Sequence, residues 1–166
     1  MKIYITIIFV TLAVLARAQQ LGISVGGVVG FSPNDFTIRE AGFDFPSDIE
    51  CESPLFLTVG SNDEWDKKTN PNRKWRIEVR KEDMNWNDAI TLEIIRTGDG
   101  YWQQNNNSSH IENGTNYQVV NQLSNYFFEG KGLISDIPIQ FRLSGFSIVN
   151  GANDYETNVV LTIYDN

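Results

Sequence analysis

One cysteine, one histidine and five prolines stand among 166 residues, and the first two scarcities each remove a class of chemistry. A lone cysteine, Cys51, cannot close an internal disulfide, so the fold has to rest on apolar burial. Ten phenylalanines and four tryptophans are available for it. Cys51 sits in "DIECES" between Glu50 and Glu52, and acidic neighbours are a poor setting for a thiolate nucleophile. An intermolecular disulfide is the other use open to it. The lone histidine, His110, would have to serve any Ser-His-Asp or Cys-His arrangement. It lies in the Asn/Ser-rich stretch "QQNNNSSHIENGTN", and no Gly-x-Ser-x-Gly elbow accompanies it. Zinc would need two carboxylates beside Cys51 and His110, and no spacing offers them. No glycine-rich loop precedes a Lys-Ser pair, so the phosphate-binding motif is missing too. The inventory reads as non-catalytic, with no cofactor and no metal site. Two carboxylates are enough for a glycosidase, but Glu40, Asp44, Asp48, Glu50 and Glu52 crowd one segment without singling out a pair. A calcium loop could draw on Asp63, Glu64 and Asp66 of "SNDEWD", which lacks the alternating Asp order of a dedicated loop.

Positive charge is also sparse: 13 Lys and Arg against 21 Asp and Glu give a formal net charge of −8. Such a surface repels phosphate backbones and anionic headgroups, which argues against nucleic acid and membranes as partners. The basic residues Lys67, Lys68, Arg73 and Lys74 flank Asn70-Pro71 and read as a solvated loop. Long hydrophobic runs are limited to the N-terminus. There Lys2 precedes "IYITIIFVTLAVLA", and Ala16-Arg17-Ala18 matches a small-x-small cleavage site. The run is short of the ~20 residues of a bilayer-spanning helix. Residues 1–18 therefore read as a signal peptide, and the protein as secreted, extracellular or at the cell surface. Cleavage would remove Lys2 and Arg17 and take the net charge to about −10. The rest fits one domain with a real core.

What is present is alternation. "SPLFLTVGS" places Leu55, Leu57 and Val59 on one face. "KWRIEVRKE" does the same with Trp75, Ile77 and Val79, and "AITLEIIR" with Ile90, Leu92 and Ile94. "DIPIQFRLSGF" follows with Ile137, Ile139, Phe141 and Leu143. "YETNVVLTIYDN" closes the chain with Tyr155, Thr157, Val159, Leu161 and Ile163. Period-two alternation marks half-buried antiparallel strands. Pro138, without a backbone donor, points to an edge strand or a strand start. Asp99-Gly100 and Asn113-Gly114 are turn signals. One helical turn could sit around Val119 to Leu123, with Phe127 and Phe128 then plugging the core. Seven or eight short strands and no amphipathic helix predict an all-β, antiparallel, immunoglobulin-like β-sandwich over residues 31–166.

Residues 19–30, "QQLGISVGGVVG", pose the functional question. Leu21, Ile23, Val25 and Val29 alternate, with Gly27 interrupting the row. The segment reads as the protein's own first strand, as a strand meant for another molecule, or as a glycine-rich leader. Together with the alternating C-terminal strand, preceded by Gly151 and Tyr155, it resembles the scheme of chaperone–usher pilins and the spore coat protein U family. The resemblance covers about forty residues at the two ends. Cys51 has no partner where such pilins commonly carry an early disulfide, and the middle of the chain matches nothing in them. The resemblance implies that Leu21, Ile23, Val25, Gly27 and Val29 are donor residues for a neighbouring subunit. It also implies that the strand from Tyr155 to Tyr164 flanks an acceptor groove.

The expected function is thus a structural subunit of a surface fibre or coat, with itself or another secreted subunit as partner. The alternative is a carbohydrate-binding module that stacks glycans on Trp65, Trp86, Tyr101 and Trp102, aromatics at turns or strand ends. Asn106, Asn107 and Asn113 stand in Asn-x-Ser/Thr frames, the N-glycosylation pattern in hosts that modify secreted proteins.

Overall fold

Eleven strands form in the computed structural model, which describes residues 21–31, 44–60, 73–102, 110–150 and 154–166. They are β1 (Gly22–Gly26), β2 (Asp48–Glu50), β3 (Leu55–Gly60), β4 (Lys74–Asn85), β5 (Thr91–Arg96) and β6 (Tyr101–Trp102). After these come β7 (His110–Glu112), β8 (Gln118–Val119), β9 (Asn125–Lys131), β10 (Ile134–Ser144) and β11 (Glu156–Asp165). Two antiparallel sheets pack face to face. One runs β1-β3-β10-β5-β8, with β2 and β6 also paired to β10; the other runs β11-β4-β9-β7. The all-β sandwich expected from alternation is the fold. The signal peptide, Glu40, the "SNDEWD" stretch, Lys67, Lys68, Trp65, Asn106, Asn107 and Gly151 lie outside the described residues.

Alternation decides which side chains meet. Trp75, Ile77 and Val79 of β4 are buried against Leu57 and Val59 of β3, Ile94 of β5 and Ile137 to Leu143 of β10 in one core. Phe127 and Phe128 are adjacent in sequence yet both are buried. The register of β4 on β9 shifts there, from Ile77 opposite Phe128 to Glu78 opposite Tyr126. The extra residue of a bulge lets two neighbours face inward. Their rings meet edge to face at 4.8 Å, and Trp75 packs on Phe128 at 6.0 Å. Gly130 is set by the same tryptophan, since a Cβ there would lie 2.5 Å from Trp75 Cη2. Trp75 Nε1 donates to the Gly132 carbonyl at 2.7 Å, so the indole is buried with its one donor used.

Three local expectations are corrected. Pro138 is neither on an edge strand nor at a strand start: it stands inside β10, the centre of its sheet, opposite Phe56. The central position is tolerable because the register shifts between Ile134 and Ile137 just before it, with Asp136 at φ 54°. Asp99-Gly100 does not reverse the chain, because β5 and β6 both run antiparallel to β10 along its length. Residues 119–123 make no helical turn. Val119 ends β8, and Val120 donates its N–H to Leu92, which extends the β5 edge. Asn113-Gly114 does turn, at φ 67° and 72°, and carries the chain from β7 in one sheet to β8 in the other.

Candidate functional site: the flank between the first and last strands

The two sheets have unequal edges. On one flank they end in short pieces, β8 of two residues and β7 of three. On the other flank they end in β1 and in the ten-residue β11. Natural sandwiches blunt such edges with Lys, Pro or inward-pointing charge. β1, "GISVG", has none of these, and in β11 the charged residues are only Glu156 and Asp165 at its ends. Among the described residues β1 pairs only with β3, and β11 only with β4.

Beside β11, where the chain has left β1, lies an open cleft of about 590 Å³. Its walls come from both sheets and from the chain just after β1: Val29, Phe31, Leu55, Phe141, Leu143 and Val159, with Asp154 and Glu156 also lining it. Alternation explains why β11 contributes here. Val159, Leu161 and Ile163 face the core but are only partly buried, unlike Ile77 and Val79 of the neighbouring β4. At one end Phe45, Phe146 and Tyr155 stack edge to face, with centroids 5.9 Å apart in each pair. Asp44 holds the adjoining turn by accepting from the Ile148 N–H at 3.0 Å and from the Ser147 hydroxyl. The Ser147 bond, followed by the backbone bonds from Ile148 and Phe45, holds its carboxyl below the usual range.

The donor candidates fall as follows. Ile23 is half-buried opposite Val59, and Val25, opposite Leu57, is 54 % exposed. Leu21 and Val29 are half-buried against the core. Gly27 lies just past the end of β1 at φ 113°, where a Cβ would come within 3.2 Å of Leu55 Cδ2. Residues 22–26 therefore lie in cis, on their own β3.

The carbohydrate candidates are not brought together. Trp86 is tied down, its Nε1 donating to the Ile90 carbonyl at 2.8 Å and Lys81 Nζ standing 4.8 Å over its ring. It lines the cleft beside Leu143, whereas Tyr101 pairs with Ser135 at the other end of β10. Eight residues of strand separate those points by roughly 25 Å. Tyr101 is 73 % exposed and Trp102 less so; as consecutive strand residues they point to opposite faces.

The remaining sequence candidates have local roles. Cys51 is buried, accepting from the Phe141 N–H and donating to the Ser53 carbonyl, each at 3.3 Å. His110 meets Glu112 at 2.6 Å on the exposed face of β7 in the other sheet. The Asn113 amide donates to the Tyr126 hydroxyl at 2.7 Å. Glu50 accepts from the Tyr117 hydroxyl at 2.8 Å, and Arg142 stacks 3.8 Å over that ring. Desolvation first and then the Glu50 bond push the Tyr117 phenol up to about 12. The sign follows: the neutral phenol favours the fold below pH 10, and that contribution is lost as pH rises through 12.

Phe31 and Phe146 were not singled out by sequence reasoning, because a lone apolar residue beside a turn carries no signal for a cleft; Leu55 was read only as part of the inward row of β3. Comparison with protein-family models, curated proteins and solved structures finds no match for this chain.

Proposed function

We infer that this protein is a secreted, non-catalytic structural subunit of a surface fibre or coat, assembling by β-strand addition at the flank bounded by β1 and β11. The reading is supported above all by that flank, where β1 and the stretch of β11 between Glu156 and Asp165 carry no charge and a largely apolar cleft opens beside them. An added strand would gain backbone hydrogen bonds for affinity, and alternate side chains entering the cleft would set its register. The partner is a second copy or another secreted subunit carrying an alternating apolar segment. Residues 19–30 are the segment of this chain that fits the description. Glycan binding has narrower support, in Tyr101 and Trp102 alone.

The test is the assembly state of the chain from Gln19, with and without residues 19–30, by size-exclusion chromatography and unboiled gels with Cys51 reduced. Stable multimers from the longer chain and a folded monomer from the shorter one are expected. A monomer from the longer chain at every concentration, with a shorter chain that unfolds, would make the segment simply the first strand and sink the reading.

A further inference from the structure

β1 is held by less than any other long strand. Its five residue pairs are all with β3, and Val25 on it and Val28 after it are 54 % and 82 % exposed. Immediately behind it the chain is anchored, since the Glu52 N–H donates to the Gly30 carbonyl at 2.8 Å. Directly after Gly26, the last residue of the arm, stands Gly27 with the left-handed φ of 113°. An L side chain there would be strained, and its Cβ would press on Leu55. The arrangement is a short arm, a glycine pivot and a fixed base.

The surface under the arm is specific. Ile23 lies over Val59 and Val25 over Leu57, and both β3 residues are fully buried. If the arm left, β3 would offer an unpaired edge backed by apolar side chains. The occupant that fits this edge without new complementarity is an identical arm.

We propose that β1 is an exchangeable strand: Gly22–Gly26 of one copy takes the β3 edge of another, and the chain straightens at Gly27. The inference rests on the strand-addition reading and narrows it: the incoming strand is β1 of a second copy, it takes the place of the receiver's own β1 on β3 at that flank, and Gly27 is the pivot. Reciprocal exchange gives a closed dimer, and sequential exchange gives an open chain of subunits. The contacts in trans are those in cis, so the balance is set by the pivot and by concentration.

A cysteine pair reads the exchange directly. Ser24 and Thr58 are cross-strand partners. In the chain from Gln19 carrying Cys51→Ser, Ser24→Cys and Thr58→Cys, oxidised gels of the separated fractions should show a bridge within the monomer and between chains in the multimer. Multimers whose bridge stays within each chain would overturn exchange and leave assembly by another strand standing. A chain that stays monomeric at every concentration would overturn both. Gly27→Ala gives a second readout that needs no bridge. A side chain is strained at φ 113° and relaxed in an extended pivot, so the multimer fraction should rise about tenfold at equal concentration. If Gly27→Ala lowers thermal stability and leaves the monomer–multimer ratio unchanged, Gly27 is a turn glycine only and the proposal fails.

Discussion

At 4 % exposure, Arg96 occupies a position in β5 where alternation calls for another isoleucine. Its guanidinium is spent on backbone: Nε donates to the Asn113 carbonyl and Nη1 to the Gly98 carbonyl, both at 2.9 Å, and Nη1 also meets Asp99. The Arg96 N–H donates to the Gly114 carbonyl at 2.6 Å. One residue thus ties the Asn113-Gly114 turn and the segment leading to β6 to the end of β5. Arg96→Met keeps much of the volume and strands those carbonyls, so it should cost about 2–4 kcal/mol. The check is a lower urea midpoint at unchanged slope. Arg96→Lys should recover less than half of the loss, because a single ammonium cannot span the same acceptors. Nothing in "TLEIIRTG" marks this arginine as buried, since in an alternating strand it reads as the residue that ends the core row.

Single strands explain both what could be read beforehand and what could not. β4, β5, β10 and β11 were legible because each keeps period two over six residues or more, and one buried face is enough to fix their inward rows. The two- and three-residue strands were not, because β6 and β8 are too short to show a period. The bulges before Ile137 and at Phe127 were hidden for a related reason: each breaks the period that would reveal the strand. The candidate flank was half legible. Both of its strands could be named from sequence, but their meeting across one cleft depends on β11 choosing β4 as its neighbour, which no local pattern encodes. Because β11 is an edge with an apolar inner row, a charge placed on that row should block addition while the strand stays paired to β4. Val159→Lys can carry its stem along the cleft and its ammonium outward. The expected outcome is a loss of multimer of tenfold or more by sedimentation, for a fall in stability of about 1–2 kcal/mol. Unchanged multimers would show that the assembly surface lies elsewhere.

Across the whole molecule, net charge works against assembly. Chains with a formal charge of −8 repel one another, and that repulsion is screened over ~10 Å at 0.1 M salt and ~3 Å at 1 M. An apolar, backbone-paired flank should therefore associate more strongly as salt is added. Multimer fraction should rise severalfold between 20 mM and 500 mM NaCl at fixed protein concentration, read by sedimentation velocity. A fall instead would point to an ion-paired interface, which β1 and the apolar stretch of β11 do not offer.

The pairing of β4 with β11 also imposes an order in time. β4 contributes twelve residues and the buried Trp75, Ile77 and Val79, yet its full-length neighbour is β11, which begins only at Glu156, with Trp75 opposite Asp165. A chain that emerges N-terminus first, from a ribosome or through a translocon, exposes β4 long before β11 exists to cover it. Its second sheet cannot close until residues 156–165 have been delivered. Non-local pairing of this kind folds slowly and leaves strand edges bare while it waits. A partner that shields β4 during synthesis would speed production of this protein without leaving any trace in its final form.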